Sequence, residues 1–106
     1  MEKYKVNFLQ NALEDLEEII LYLAQDSVKS AKQFNEKVVA ASKRLEFFPK
    51  MGRFIPDKKM RESGFRMIVI DSYLLFYKIY GNEINVLRIL HGKTNYPMLW
   101  SSILRH

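Results

Sequence analysis

Two apolar stripes of helical spacing, parted by three polar residues, constrain the fold of this chain more than any other feature. Leu9, Ala12, Leu13, Leu16, Ile19, Ile20 and Leu23 recur at steps of three and four, as do Ala31, Phe34, Val38, Ala41, Leu45 and Phe48. Each set therefore lies on one face of a helix. Gln25-Asp26-Ser27 separates the stripes, with the Ser27 hydroxyl placed to cap the second helix. Pro49 ends that helix. Helices joined this briefly fold back as an antiparallel hairpin, and stripes this short suit packing within one molecule rather than a coiled-coil seam. Four acids, Glu14, Asp15, Glu17 and Glu18, crowd the first half of the first helix, where the helix dipole is expected to favour them.

A hairpin with one apolar face needs a second layer, and the rest of the chain supplies it. Tyr4, Val6 and Phe8 alternate with Lys5 and Asn7, the pattern of a short strand with one buried face. Residues 65–70, 73–80 and 83–90 read as three strands parted by Asp71-Ser72 and Gly81-Asn82, turn sequences that make an antiparallel meander. Residues 50–64 read as a loop carrying Gly52, Pro56, Gly64 and the cations Lys50, Arg53, Lys58, Lys59 and Arg61. This loop is either a solvated connection or a basic flap beside a binding surface. Asn95-Tyr96-Pro97 opens a short C-terminal helix bearing Met98, Leu99, Trp100, Ile103 and Leu104.

The expected fold is thus α+β in a single domain spanning residues 1–106. It has an N-terminal strand, an antiparallel two-helix hairpin packed on an antiparallel β-meander, and a short C-terminal helix. Leu16, Ile20 and Leu23 should meet Phe34, Val38 and Leu45, and the helices should cover Val69, Leu75 and Val86.

Composition narrows the chemistry. The 106 residues include no cysteine and two histidines, so neither a disulfide framework nor a convincing zinc site is expected, and no metal or cofactor is assigned. Met1-Glu2-Lys3-Tyr4-Lys5 lacks the apolar segment of a signal peptide, and no run has the length of a membrane span, so a cytoplasmic protein without a membrane partner is expected. Seventeen basic residues against twelve acidic give a net charge of +5, which favours an anionic partner, whether nucleic acid or an acidic protein.

No phosphate-binding loop, nucleophile elbow or metalloprotease motif is present. What remains is acid–base and cationic chemistry of the kind a metal-free ribonuclease uses: a base, an acid, and cations for the phosphate. Arg66, Arg88, His91, Lys93 and Tyr96 could fill those roles. Arg66 equally suits a solvent-facing strand position, Arg88 an ion pair with Glu14, Asp15 or Glu18, and His91 the ordering of a strand end. Lys93 and Tyr96 suit ordinary surface and packing positions. Arg53, Lys58, Lys59, Arg61 and Lys93 are the candidates for holding a nucleic acid or another target.

Several segments, taken in order, resemble the RelE/ParE superfamily of bacterial type II toxins. They are Tyr4-x-Val6-x-Phe8, Ala12-x-x-Asp15-Leu16-x-x-Ile19-x-x-Tyr22-Leu23, Phe48-Pro49-x-x-Gly52-Arg53-x-x-Pro56, Tyr73-x-x-Phe76-Tyr77-x-Ile79 and Arg88-Ile89-Leu90-His91-Gly92. The resemblance implies a toxin held inactive by a cognate antitoxin with a flexible, often acidic segment, for which Leu99, Trp100 and Ile103 would be contacts. It also implies one of two targets. RelE-like members cleave mRNA on the ribosome, whereas ParE-like members poison DNA gyrase. The RelE-like pattern places an arginine after the tyrosine that begins the central strand and a second cation after the glycine-lysine pair. Here those positions hold Leu74 and Thr94, which looks more like ParE. The expected function is therefore a toxin acting on gyrase. The alternatives are a ribosome-dependent endoribonuclease centred on His91, or a non-toxic member that only binds its antitoxin and autoregulates.

Overall fold

One residue, Ser27, both ends the first helix and begins the second. The computed structural model describes residues 3–95. In it the chain forms β1 (Lys5–Phe8), α1 (Gln10–Asp26), α2 (Val28–Leu45), β2 (Arg53–Phe54), α3 (Lys58–Glu62), β3 (Arg66–Ile70), β4 (Tyr73–Tyr80) and β5 (Glu83–His91). Ser27 is extended; its N–H donates to the Leu23 carbonyl at 2.9 Å, while its hydroxyl accepts the Ser30 N–H at 3.1 Å. Both helix ends are thereby satisfied without a longer linker.

The sheet order is β1-β5-β4-β3-β2. The meander β3–β4–β5 is antiparallel, as the turn sequences predict, with Asp71 and Gly81 adopting positive φ in the two turns. Sequence pattern did not specify that β1 joins β5 in parallel, from Lys5 opposite Glu83 to Phe8 opposite Val86. A parallel neighbour needs a long crossover, which the helical hairpin and the meander together provide.

The hairpin covers one face of this sheet. Ala12, Ile19, Phe34, Val38, Ala41 and Leu45 pack against Tyr73, Leu75, Tyr77, Ile84, Val86 and Ile89, with Leu16 and Leu23 at the margin. On the opposite face, Phe65, Met67, Phe76, Leu87 and Leu90 form a second cluster, closed over by the fully buried Ile55 and Met60.

Several expectations need correction. Residues 50–64 are not a plain loop: they hold β2 and α3, the latter capped by Asp57, whose carboxylate accepts the Lys59 N–H at 2.9 Å. Elements of two and five residues are too short to show a period. The second helix stops at Leu45, where the Glu46 and Phe47 N–H groups bond three residues back to the Lys43 and Arg44 carbonyls, and Phe48 is exposed. Leu13 is also exposed. Val69 is 56% exposed instead of lying under the helices. The pleat assigns the helix-facing positions of its strand to Ile68 and Ile70. The first turn of α1 holds no acid, and the dipole weakens beyond that turn, so the four acids need another explanation. The expected C-terminal helix, with Tyr96, Leu99, Trp100 and Ile103, lies outside the described residues.

Asp15 supplies that explanation for one acid. β1 ends at Phe8, and the Leu9 N–H makes the last backbone bond of this edge, to the Val86 carbonyl at 3.0 Å. Farther along β5, the Asp15 carboxylate reaches across from α1 and accepts the Ile89 N–H at 2.9 Å. The same carboxylate takes both Nε (2.7 Å) and Nη2 (3.0 Å) of Arg88. The hydrogen bond to Asp15 is the main influence raising the Arg88 pKa, against the opposing effect of burial. A one-residue bulge places Arg88 here: Phe76 faces Arg88 while Tyr77 faces Val86, so Leu87 is extra.

This double role can be separated by mutation. Asp15→Ala should lower the free energy of unfolding by about 3 kcal/mol, since it strands both a largely buried guanidinium and a backbone N–H. In an Arg88→Ala background the same change should still cost about 1–2 kcal/mol, the part belonging to the Ile89 N–H. Urea unfolding of the four proteins reads both values. No residual cost in the second background would remove the backbone role.

Candidate functional site

The cations and the histidine singled out from sequence do not converge on one place. Arg66 begins β3, opposite Phe54 on one side and Tyr77 on the other. Its Nη1 donates to the Gly52 carbonyl at 2.7 Å and to the Lys50 carbonyl at 3.3 Å, and its guanidinium lies 4.1 Å from the centre of the Phe54 ring. Arg88 is engaged by Asp15. His91 closes β5 at the far end of the sheet, where its ring meets Tyr73 edge-on at 5.2 Å. Tyr96 lies outside the described residues.

The region around Arg66 is the most tightly built. Tyr77, on the central strand, is fully buried, and its hydroxyl leaves the core to meet residues 49–52. It accepts the Gly52 N–H at 2.8 Å and donates to the Pro49 carbonyl at 2.8 Å. Burial raises the Tyr77 pKa above its ordinary 10.0, while the Gly52 bond and the Arg66 charge act in the opposite direction. Gly52 must approach closely for this contact. A Cβ there would fall 2.6 Å from the Tyr77 ring and hydroxyl and 2.9 Å from the Met67 carbonyl oxygen. Sequence reading noted Gly52 and Tyr77 separately but missed their junction. The only available signal was a glycine and a tyrosine recurring in two family segments.

This junction carries an exposed strip at the outer edge of the sheet. Met51, Arg53 and Phe54 are exposed beside Val69, and a shallow groove of about 320 Å³ runs between Met51, Arg53, Met67 and Val69. Beyond it, Phe47, Phe48 and Met51 line an apolar hollow of about 460 Å³. The α3 cations Lys58, Lys59 and Arg61 are exposed in the same stretch of chain, over the inward-facing Met60. Lys93 belongs elsewhere, because β5 is three strands from β2, or about 14 Å across the sheet.

Leu74 occupies the place where the RelE-like pattern has arginine. Val69 faces it from β3 and Leu90 from β5, making an apolar row across three strands on the face away from the helices. Leu74 packs against the second cluster there. At the sheet's end, the Lys93 N–H donates to His91 Nδ1 at 3.0 Å, so the neutral ring carries its proton on Nε2. Thr94 follows in the same turn, its N–H bonded to the His91 carbonyl at 2.9 Å. Among the described residues, no group of three or more histidines and acids is arranged to hold a metal.

Comparison with known proteins places this geometry. A family model described as the ParE toxin of the type II toxin–antitoxin system parDE matches residues 6–96. No curated protein matches the chain. Among solved structures, the chromosomal ParDE toxin–antitoxin system of P. aeruginosa superposes with a TM-score of 0.67 at 21% identity, covering 84% of this chain and 96% of that one. The toxin–antitoxin complex RelBE2 of Mycobacterium tuberculosis superposes with a TM-score of 0.54, also at 21% identity, covering 84% and 98%. At these identities the two structures share the fold.

The Tyr77–Gly52 contact makes two measurements informative. Gly52→Ala should destabilise the protein by about 2 kcal/mol in urea unfolding, because the nearest atoms are a buried ring and a backbone carbonyl that cannot give way. A raised folded pKa means that the folded state retains the phenol proton after the unfolded chain has lost it. Stability should therefore be intact below pH 10 and fall as pH rises above it. Tyr77→Phe should remove that part of the alkaline loss; an unchanged slope between pH 10 and 11.5 would contradict it.

Proposed function

This chain belongs to the ParE toxin family of type II toxin–antitoxin systems, and from that premise we propose that it arrests growth by acting on DNA gyrase. It is the toxin component of such a module, with a cognate antitoxin as its partner. The observation that carries the gyrase reading is the row Val69–Leu74–Leu90, which is apolar where a nuclease of this superfamily would grip phosphate. The pairing of Arg88 with Asp15 supports the same reading, since that guanidinium's charge is already met by a carboxylate. Metal-free cleavage depends on several such groups around one phosphate.

Charge distribution supports an acidic antitoxin segment. The net charge is +5, yet α1 holds five acids and no base, which leaves +10 on the rest of the chain. An acidic chain would be drawn to the basic remainder and turned away from α1. Leu99, Trp100 and Ile103 remain the proposed apolar contacts of that segment. Among the described residues no helix is long and apolar enough to cross a membrane.

The ribosome-dependent alternative rests on His91. With Nδ1 occupied by the Lys93 N–H, the neutral ring offers only a hydrogen bond from Nε2, and taking up a proton at Nδ1, as either a base or the precursor of an acid, breaks the turn. It would need a separate base; of the candidate cations Lys93 shares its turn, while Arg66 stands at the start of β3 and Arg88 is paired with Asp15.

The two targets separate cleanly in the test tube. The purified toxin should inhibit supercoiling by gyrase or trap cleaved DNA, and His91→Ala should leave that activity and growth arrest unchanged. Codon-positioned mRNA breaks on translating ribosomes, no effect on gyrase, and relief of toxicity by His91→Ala would together establish the nuclease reading instead. Absence of any growth defect on induction would leave antitoxin binding and autoregulation as the function.

A further inference from the structure

We infer that Tyr77 and Arg66 are positioning residues for Arg53, and that the strip they hold in place is the toxin's contact with a protein target. This rests on the reading of Arg53 as a target-binding residue and adds how the fold presents it. β2 has two residues and two register partners, Arg53 opposite Met67 and Phe54 opposite Arg66. So short a ladder does not hold an edge strand by itself. The fixing comes from the side. The Tyr77 hydroxyl holds both a donor and an acceptor of residues 49–52, and Arg66 holds the carbonyls of Lys50 and Gly52 while stacking on Phe54.

The division of labour between the two arginines follows. Arg66 is fixed through Nη1 to two carbonyls and over a ring, so it supports the segment from within. Arg53, which faces Met67 one position along the ladder, is exposed and is the cation presented there. Met51 at 40% exposure and Val69 at 56% line the same groove as Arg53. An exposed cation beside exposed apolar side chains complements an acidic side chain on a protein partner. The partner surface that fits is an acidic side chain ringed by apolar ones.

A double-mutant cycle tests this, read as the amount of toxin per cell that gives half-maximal growth arrest. Arg53→Ala and Tyr77→Phe should each raise that amount about tenfold, and the double variant should be no weaker than Arg53→Ala alone. Tyr77→Phe should also speed amide hydrogen exchange at Gly52 and Phe54. Ile84→Val, a core change far from the strip, should keep full potency. If Arg53→Ala weakens the toxin but Tyr77→Phe does not, or if the two effects add fully, positioning is overturned while the role of Arg53 stands. If Arg53→Ala is fully potent, the contact reading falls and positioning with it. If purified toxin with Arg53→Ala loses affinity for RNA and keeps its effect on gyrase, the partner is a nucleic acid and the protein contact is overturned.

Discussion

A single carboxylate joins the two layers of this fold where strand pairing runs out. β1 is four residues long and β5 is nine, so the edge of β5 continues past β1. An unpaired N–H beside a packed core costs free energy unless something accepts it. Asp15 accepts the Ile89 N–H, and the charge this brings into a half-buried place is neutralised by the fork of Arg88. α1 is therefore attached to the sheet by directional bonds as well as by Ala12 and Ile19, which face the common core. Apolar packing alone tolerates sliding of a helix along its stripe; three hydrogen bonds to one carboxylate do not.

The opposite edge is secured in another way. There Tyr77 sends its hydroxyl outward from the core to meet a segment that regular pairing barely engages. A buried phenylalanine would fill the same space, so the hydroxyl is there for the loop. The close approach of Gly52 is the counterpart, since any side chain at that position would push the loop off the ring. Each edge thus has one polar residue, Asp15 or Tyr77, that converts a rigid element into a support for its neighbour.

How much of this was readable beforehand depends on which physical signal each feature leaves. The hairpin and the meander left strong ones: periods of 3.6 and 2, a serine cap and two turns with residues that accept positive φ. Arg88 was readable as a choice, because an arginine in an apolar strand invites an ion pair, and Asp15 was among the three partners considered. The bulge at Leu87 was not, since it shifts the alternation by one residue without any glycine to mark it. The parallel placement of β1 and the short elements β2 and α3 also left no period. The Tyr77–Gly52 junction is a contact between residues 25 apart in sequence, and neither composition nor spacing encodes it.

Leu74 ties the fold to the proposed target. Its position is flanked on both sides by neighbouring strands, so its side chain must agree with Val69 and Leu90. An arginine in that row would lie against the second cluster with only aliphatic neighbours across the strands. Its charge would then have to be compensated by a bound phosphate. A chain built for phosphate keeps such a cation because its substrate completes the pairing. A chain with leucine there needs no ligand to satisfy the row, and the surface is suited to apolar contact instead. Arg66 is likewise tied inward, to two loop carbonyls, whereas Arg53 is exposed. The proposed contact thus lies at the β2 edge, where Arg53 is exposed beside Met51 and Val69.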